Sequence, residues 1–153
     1  MIDESAEILK DILCRTTARY LTIRPQGLLF EGETVPVPTV KATIVGHGGA
    51  RTLYSGRQPR CRSLNGQHAV DDRKKWCRDC RMKAHCTPQV CVYLNIDQRP
   101  YRLLLSYTSG RRFLEYHEAL VTQKIDPRGI TTVITVINRG SWGELRFDMV
   151  STD

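Results

Sequence analysis

Short apolar runs, separated by glycine, proline, asparagine and aspartate, recur along most of the chain. Runs of this length, rich in valine, isoleucine, leucine and tyrosine, are typical of β-strands. Residues 20–23 and 28–30 are expected to form two short strands around a turn at 25–27. The pattern therefore predicts a mainly β protein.

A longer apolar run covers 37–45 and is followed by a glycine-rich stretch at 46–50. Because glycine clusters commonly mark turns, we expect the chain to reverse there and to return as a strand at 51–56. Pro36 and Pro38 cannot donate backbone hydrogen bonds, so the first strand should begin at a sheet edge or a bulge. The sequence thus predicts a β-hairpin between residues 37 and 54.

The second half of the chain combines strands with a helix. Strand patterns occupy 90–96 and 101–107, with a turn expected at 97–100. After Ser109, a candidate N-cap, apolar residues recur with the 3.6-residue period of a helix near 110–123. These residues are Phe113, Leu114, Tyr116, His117, Leu120 and Val121. Strands at 131–138 and 144–150 are expected to form a closing hairpin.

The first residues also carry a helical pattern. Residues 3–14 are expected to form a short amphipathic helix, since their apolar side chains share one face. These side chains are Ile8, Leu9, Ile12 and Leu13. The helix either plugs one end of the core or docks a partner protein.

Residues 57–90 follow neither the strand nor the helix period. A structureless segment of this length is unusual in a compact domain unless something else orders it. We therefore expect residues 1–153 to form a single domain in which 57–90 is an inserted subdomain organised by a metal ion.

The composition bears on location and on the cysteines. No apolar run approaches the ~20 residues that cross a bilayer, and the first seven residues are acidic, unlike a secretory signal. We therefore expect a cytoplasmic protein with no membrane partner. In that reducing compartment, the six cysteines are better explained as metal ligands and core residues than as disulfides.

The positive charge is concentrated in one segment. Between Arg51 and Lys83 there are ten basic and three acidic residues, a local charge of +7 that equals the net charge of the whole chain. Like charges gathered in this way repel one another in the folded state. The concentration therefore favours a polyanionic partner, although a charged and merely soluble loop is the alternative.

Four cysteines have the spacing of a structural zinc site. Cys77 and Cys80, two residues apart, can occupy neighbouring corners of a tetrahedron, and Cys61 and Cys86 complete four thiolate ligands. A closed shell of four thiolates leaves no coordination position for water, so one structural Zn²⁺ per chain is expected.

Other residues could replace one of these ligands. Cys91, His68 and His85 lie near the same segment, although Cys91 has the surroundings of a core residue. A zinc deaminase is excluded because Trp76 precedes Cys77 where such enzymes have proline, and because no His-x-Glu motif is present. We find no phosphate-binding loop or nucleophile elbow, and we expect no enzymatic activity.

The order of elements is that of an OB-fold, a five-stranded β-barrel with a helix between its third and fourth strands. The strands would be 37–45, 51–56, a third one within 90–107, 131–138 and 144–150, with the zinc finger inserted before the third. The chain resembles the small zinc-containing, OB-fold single-stranded-DNA-binding-like proteins of bacteriophages and mobile elements. The resemblance depends on residues 59–66, on Cys77, Cys80 and Cys86, and on the strand, helix and hairpin that follow.

The resemblance implies that single-stranded DNA is the partner, in phage or mobile-element replication or recombination. In OB-folds, the face of strands two and three and the loops after strands one and four commonly hold oligonucleotides. The corresponding loops here are 46–51 and 138–143. Arg139 would pair with phosphate and Trp142 would stack on a base, unless the indole packs over the hairpin glycines.

The remaining candidate contacts lie in or beside the basic segment. Trp76 either stacks on a base or covers the zinc-bound sulfurs, and Tyr54 stands between arginines. The predicted nucleic-acid-binding residues are Arg51, Tyr54, Arg57, Arg60, Arg62, Lys74, Lys75, Trp76, Arg78, Arg81, Arg139 and Trp142. The basic members would contact phosphates and supply affinity that falls with salt.

Two further functions stay open at this point. The chain could be a protein–protein adaptor or inhibitor that acts on a host or replisome protein, or an RNA-binding zinc-ribbon protein. A replication or recombination protein is a further candidate partner, and homo-oligomerisation is not decided by the sequence.

Overall fold

The computed structural model of the chain describes residues 19–55, 58–63, 80 and 85–150. At 51, 53–55, 58–60 and 62–63 it describes the backbone alone. The predicted amino-terminal helix at 3–14 lies outside these residues. The strands are β1 Arg19–Arg24, β2 Gly27–Phe30, β3 Thr39–Ser55, β4 Gln58–Ser63, β5 Thr87–Ile96, β6 Arg99–Leu105, β7 Thr132–Asn138 and β8 Gly143–Met149, with helix α1 Tyr107–Thr122 before a 3₁₀ turn at Pro127–Gly129.

The strands form one curled sheet in the described part of the chain. Its order is β2-β1-β6-β5-β3-β7-β8, and β4 pairs with the far end of β3. Neighbouring strands are antiparallel except β1 and β6, which run parallel with Arg19 opposite Tyr101 and Leu21 opposite Leu103. The prediction of a mainly β, barrel-like protein is confirmed in the form of a half-barrel sheet.

The predicted hairpin between residues 37 and 54 is wrong. β3 continues through the glycine-rich stretch, because residues 43–52 of β3 pair with residues 87–95 of β5. The irregularity that glycine permits here is a register shift between Ile44 and Gly46, not a reversal. The expected loop at 46–51 is therefore strand, and the expected strand at 51–56 is the far end of β3.

Residues 90–107, where the third barrel strand is expected, contribute to two strands, β5 and β6. β5 and β6 form a hairpin, and Asp97 and Gln98 between them have φ values of 52° and 65°. Two successive residues with positive φ are characteristic of a tight hairpin turn whose twist matches the flanking strands. The turn predicted at 97–100 is confirmed at 97 and 98, whereas Arg99 and Pro100 already pair with β5 as the start of β6.

The predicted helix is confirmed, with different bounds. α1 starts after Ser106, and Ser109, the expected N-cap, lies buried inside the helix. Phe113 and Leu120 are buried, whereas Leu114 and Val121 are exposed. The expected apolar stripe is therefore divided between a face that packs on the sheet and a face that does not.

The main core lies on the α1 side of the sheet. It contains Leu28, Val92, Leu103, Phe113 and Ile134, all fully buried. Tyr116 ties α1 to β7 through a hydrogen bond of 2.9 Å between its hydroxyl and that of Thr132. Within the described residues, no helix has both the length and the apolar character needed to cross a membrane.

Candidate nucleic-acid interface

The tip of the β7–β8 hairpin holds Trp142 in a fixed position. The Arg139 amide donates to the Trp142 carbonyl at 2.9 Å, and the Gly140 amide donates to the Asn138 side chain at 2.8 Å. Gly140 has a φ of 89°, a conformation that side chains other than glycine rarely adopt. Trp142 is 45% exposed, so much of the indole is open to solvent.

This hairpin tip is packed against the β1–β2 turn. A Cβ atom on Gly143 would lie 2.5 Å from the carbonyl oxygen of Arg24 and 2.8 Å from a methyl group of Val136. The absence of a side chain at Gly143 therefore lets two backbones meet closely. The contact fixes Trp142 next to the end of β1.

A groove of about 650 Å³ begins at this contact and follows β1. Its lining includes Trp142 and Arg24 at one end of β1 and Tyr20 and Glu31 at the other. The volume falls within the roughly 300–1,000 Å³ that is typical of ligand sites. Tyr20 packs in a second cluster, away from the main core, so the groove lies on the outer side of the sheet.

The same groove reaches the β3–β4 ribbon. Gln89 and Ser106 line the groove, and Gln89 pairs with Ala50 of β3. The Thr52 hydroxyl donates to the Gln89 side-chain oxygen at 2.6 Å, which fixes that side chain against β3. The groove thus connects Trp142 with the part of β3 where the basic segment begins.

The predicted basic residues divide into those with a described backbone and those without one. Arg51 and Tyr54 lie on β3, while Arg60 and Arg62 lie on β4. Strand pairing brings them together on one two-stranded ribbon, with Arg62 opposite Thr52. The remaining predicted contacts in the segment, Arg57, Lys74, Lys75, Trp76, Arg78 and Arg81, lie outside the described residues.

Arg139 is bound to Glu144. Its guanidinium donates two hydrogen bonds, of 2.7 and 2.9 Å, to one carboxylate oxygen of Glu144. Arg112 approaches the other oxygen at 3.6 Å. The hydrogen bonds from Arg139 hold the pKa of Glu144 below its ordinary value. Arg139 is 51% exposed and Glu144 12% exposed, so a phosphate would compete with this carboxylate for Arg139.

The outer face of β5 and β6 is closed around Cys91 and Tyr93, although Gln89 and Leu104 at its margin line the groove. Cys91 and Tyr93 are 0% exposed on that face, and Arg102 stacks over the Tyr20 ring at 4.9 Å. In OB-folds the corresponding face commonly binds oligonucleotides. Next to this closed part, the groove along β1 is open in the described structure.

The proposed zinc ligands are described in part. Cys61 lies on β4 opposite Leu53, and Cys61, Cys80 and Cys86 are partly buried. Cys77 and His68 lie outside the described residues. Among those that are described, no three histidine, cysteine or acidic residues group closely enough to hold a metal ion. The four-cysteine site stays a prediction, and Cys91 is a core residue, as expected.

Sequence reasoning missed most of the groove. Tyr20, Glu31 and Gln89 come together through the parallel pairing of β1 with β6, strands that are about eighty residues apart. Glu144 was missed although it follows Arg139 by five residues across a hairpin, a spacing that could have suggested the ion pair.

Comparison with known proteins does not assign the chain to a family. No protein-family model matches it, and neither a curated protein nor a solved structure shows significant similarity to it. The features that bear on function are therefore the groove, the exposed indole of Trp142 and the arginines of the β3–β4 ribbon.

Proposed function

We propose that the protein binds single-stranded DNA without catalysing a reaction. The observation that carries this proposal is the groove along β1, which joins the exposed Trp142 to Gln89 at the base of the β3–β4 ribbon. Proteins that bind single strands combine aromatic stacking platforms with a positively charged path for the backbone. Here Trp142 would supply the stacking platform, and the ribbon residues Arg51, Arg60 and Arg62 would begin the charged path.

The fold that we propose is a variant of the OB-fold. The connection order β3, β5, β6, α1, β7, β8 supports it, as does the pairing of β3 with both β5 and β7. The β1–β2 hairpin, which such a barrel does not require, adds to the edge of β6. This addition creates the wall of the groove.

The zinc finger is proposed to present charge. It would hold most of the positive excess of the chain next to the β3–β4 ribbon, where it would face the phosphates of a strand whose bases occupy the groove. Contacts of this kind supply affinity with little sequence preference, and the affinity falls as salt rises. The process would be replication or recombination of a phage or mobile element.

Replacement of Trp142 tests the stacking role. Base–aromatic stacking is worth about 1–3 kcal/mol per base, so Trp142→Ala is expected to weaken binding of a labelled single strand by roughly 5- to 150-fold. Fluorescence anisotropy at two salt concentrations measures this loss. Tyr107→Ala is the matched control, because Tyr107 is an 80% exposed aromatic residue on α1 that lies outside the groove.

Two outcomes of this experiment contradict the proposal. Absence of wild-type binding at low salt removes it altogether. An equal effect of the Trp142 and Tyr107 substitutions removes the role of the groove. Preference for labelled RNA or duplex DNA would change the substrate class.

A protein–protein adaptor is the second candidate function. Tyr107, Leu114 and Val121 are exposed apolar residues that recur every seven positions on α1, and they share one face of the helix. Exposed apolar surface of this kind often marks a protein interaction site. If the wild-type protein binds no oligonucleotide in the assay above, this helix face becomes the leading candidate.

A further inference from the structure

We propose that the groove along β1 selects bases that carry an exocyclic amino group, and that the protein therefore prefers cytosine-rich to thymine-rich single strands. This inference rests on the proposed function and specifies which strands the groove accepts. Cytosine and thymine are of similar size, but cytosine offers an N4 amino donor where thymine offers an O4 acceptor. The two bases therefore isolate the hydrogen-bonding chemistry of the groove.

The first observation is the charge of the groove lining. Among the residues that the structure describes, the charged ones that line the groove are Arg24, Glu31 and Glu33, in a chain whose net charge is +7. The two carboxylates at the Glu31 end repel phosphate. We therefore expect the bases to enter the groove and the phosphates to face the arginines of the β3–β4 ribbon.

The second observation is the kind of hydrogen-bonding group that the groove offers. A carboxylate accepts hydrogen bonds and donates none, and acidic side chains pair with the N4 amino group of cytosine in nucleic-acid complexes. Glu31 and Glu33 are both exposed and line the groove. Thymine would place its O4 acceptor against the same carboxylates, which is unfavourable.

The third observation is that Glu31 and the stacking indole of Trp142 lie at opposite ends of the groove. Glu31 lies beside Tyr20, since its amide donates to the Tyr20 carbonyl at 3.1 Å, whereas Trp142 lies beside Arg24. Arg24 follows Tyr20 by four positions along β1, a length of about 13 Å. The groove therefore accommodates at least two bases, one stacked on Trp142 and another in reach of Glu31.

The double variant Glu31→Gln with Glu33→Gln tests the selection. Glutamine keeps the size of the side chain but adds a donor that thymine O4 can accept. The wild-type protein is expected to bind oligo-dC about tenfold more tightly than oligo-dT, the scale of one good base contact. In the double variant, the two affinities should agree within about twofold.

The control is Glu118→Gln with Asp148→Asn, which removes the same charge from exposed positions outside the groove. The lost negative charge should tighten binding of both oligonucleotides in both variants, so the dC-to-dT ratio at pH 7.5 is the readout. A tenfold ratio in the control and its loss in the groove variant support the proposal.

Failure of the inference can be distinguished from failure of the proposed function. If the wild-type protein binds both oligonucleotides equally, or if the groove variant keeps the preference, base selection by the carboxylates is wrong while single-strand binding stands. If the wild-type protein binds neither oligonucleotide, both proposals are wrong.

Discussion

The buried side chain of Glu144 binds Arg139 and lies close to a second arginine, Arg112. Its carboxylate accepts two hydrogen bonds from Arg139 and lies 3.6 Å from Arg112. These contacts stabilise the charged form of the carboxyl, so the pKa of Glu144 is lowered. Arg139 is consequently oriented at the hairpin tip beside Trp142 before any ligand arrives.

The pH dependence follows from the direction of this shift. A carboxyl whose pKa is lower in the folded than in the unfolded state stabilises the fold above its unfolded pKa. That contribution is lost as the pH falls through the folded pKa. We expect the Glu144 carboxyl to titrate below its ordinary value of 4.5 in an NMR titration.

The variant Glu144→Gln should remove this part of the acid sensitivity, measured by denaturant unfolding from pH 7 to pH 3. Glu118→Gln, an exposed change on α1, serves as control and should leave the acid sensitivity unchanged. A Glu144 midpoint at or above 4.5 would show that the contact with Arg139 does not persist in solution.

The kinds of interaction expected of Arg139 and Trp142, ion pairing and stacking, follow from the residue types and so could be predicted from the sequence. The partner of Arg139 was not predicted, since the choice between phosphate and carboxylate depends on which group the fold brings near. Tyr93 makes the same point: its residue type allows burial or exposure, and its place in the sheet decided for burial.

At the scale of elements, the contact between the β7–β8 hairpin and the β1–β2 turn is maintained by Gly143. A methyl group there would overlap the Arg24 carbonyl oxygen and Val136. Both neighbours are held by sheet pairing, so neither can move away freely. The contact defines the end of the groove that carries Trp142.

Substitution Gly143→Ala is therefore expected to destabilise the protein by about 1–3 kcal/mol, the usual cost of overpacking. Chemical denaturation monitored by circular dichroism measures the change. Gly49→Ala is the matched control, because a Cβ there would meet no atom of the described residues within 4 Å. Equal stability of the two variants would contradict the close approach at Gly143.

The glycines of β3 show why local patterns failed for this element. Glycine allows a turn but does not require one, and its backbone can remain extended when a partner strand supplies hydrogen bonds. Here β5 supplies them along residues 43–52. By contrast, the turn at Asp97 and Gln98 was predictable because Asp97 and Pro100, residue types typical of turns, separate two apolar runs.

At the scale of the whole molecule, the segment that carries the positive charge begins beside the groove. The segment from Arg51 to Lys83 carries the equivalent of the entire net charge of +7, and it begins on β3 where Gln89 closes the groove. A distribution of this kind attracts polyanions and accelerates their association. It also requires something to hold the segment together against repulsion.

We expect a bound Zn²⁺ ion to hold the basic segment together, and native mass spectrometry tests this expectation. The protein should carry one Zn²⁺ per chain, lost on treatment with a chelator and absent from the variant Cys77→Ser with Cys80→Ser. Cys14→Ser removes a thiol outside the proposed site and is the control.

The same measurement with an oligonucleotide reports what the metal contributes. Binding should weaken in the zinc-free variant because the charged path loses its order. Metal-free wild-type protein would contradict the four-cysteine site. Unchanged binding without metal would assign the contact to the groove alone.

The sequence by itself determined the helix, the β5–β6 turn and the strands other than β4 and the far half of β3, because each of these depends on contacts between residues near one another in the chain. Side-chain period and turn conformation are properties of a few successive residues. The tertiary structure alone decided that β3 is continuous, that β1 lies parallel to β6, and that a groove joins Trp142 to Gln89. These features depend on hydrogen bonds and packing between distant segments, and several strand partners would satisfy the same local pattern.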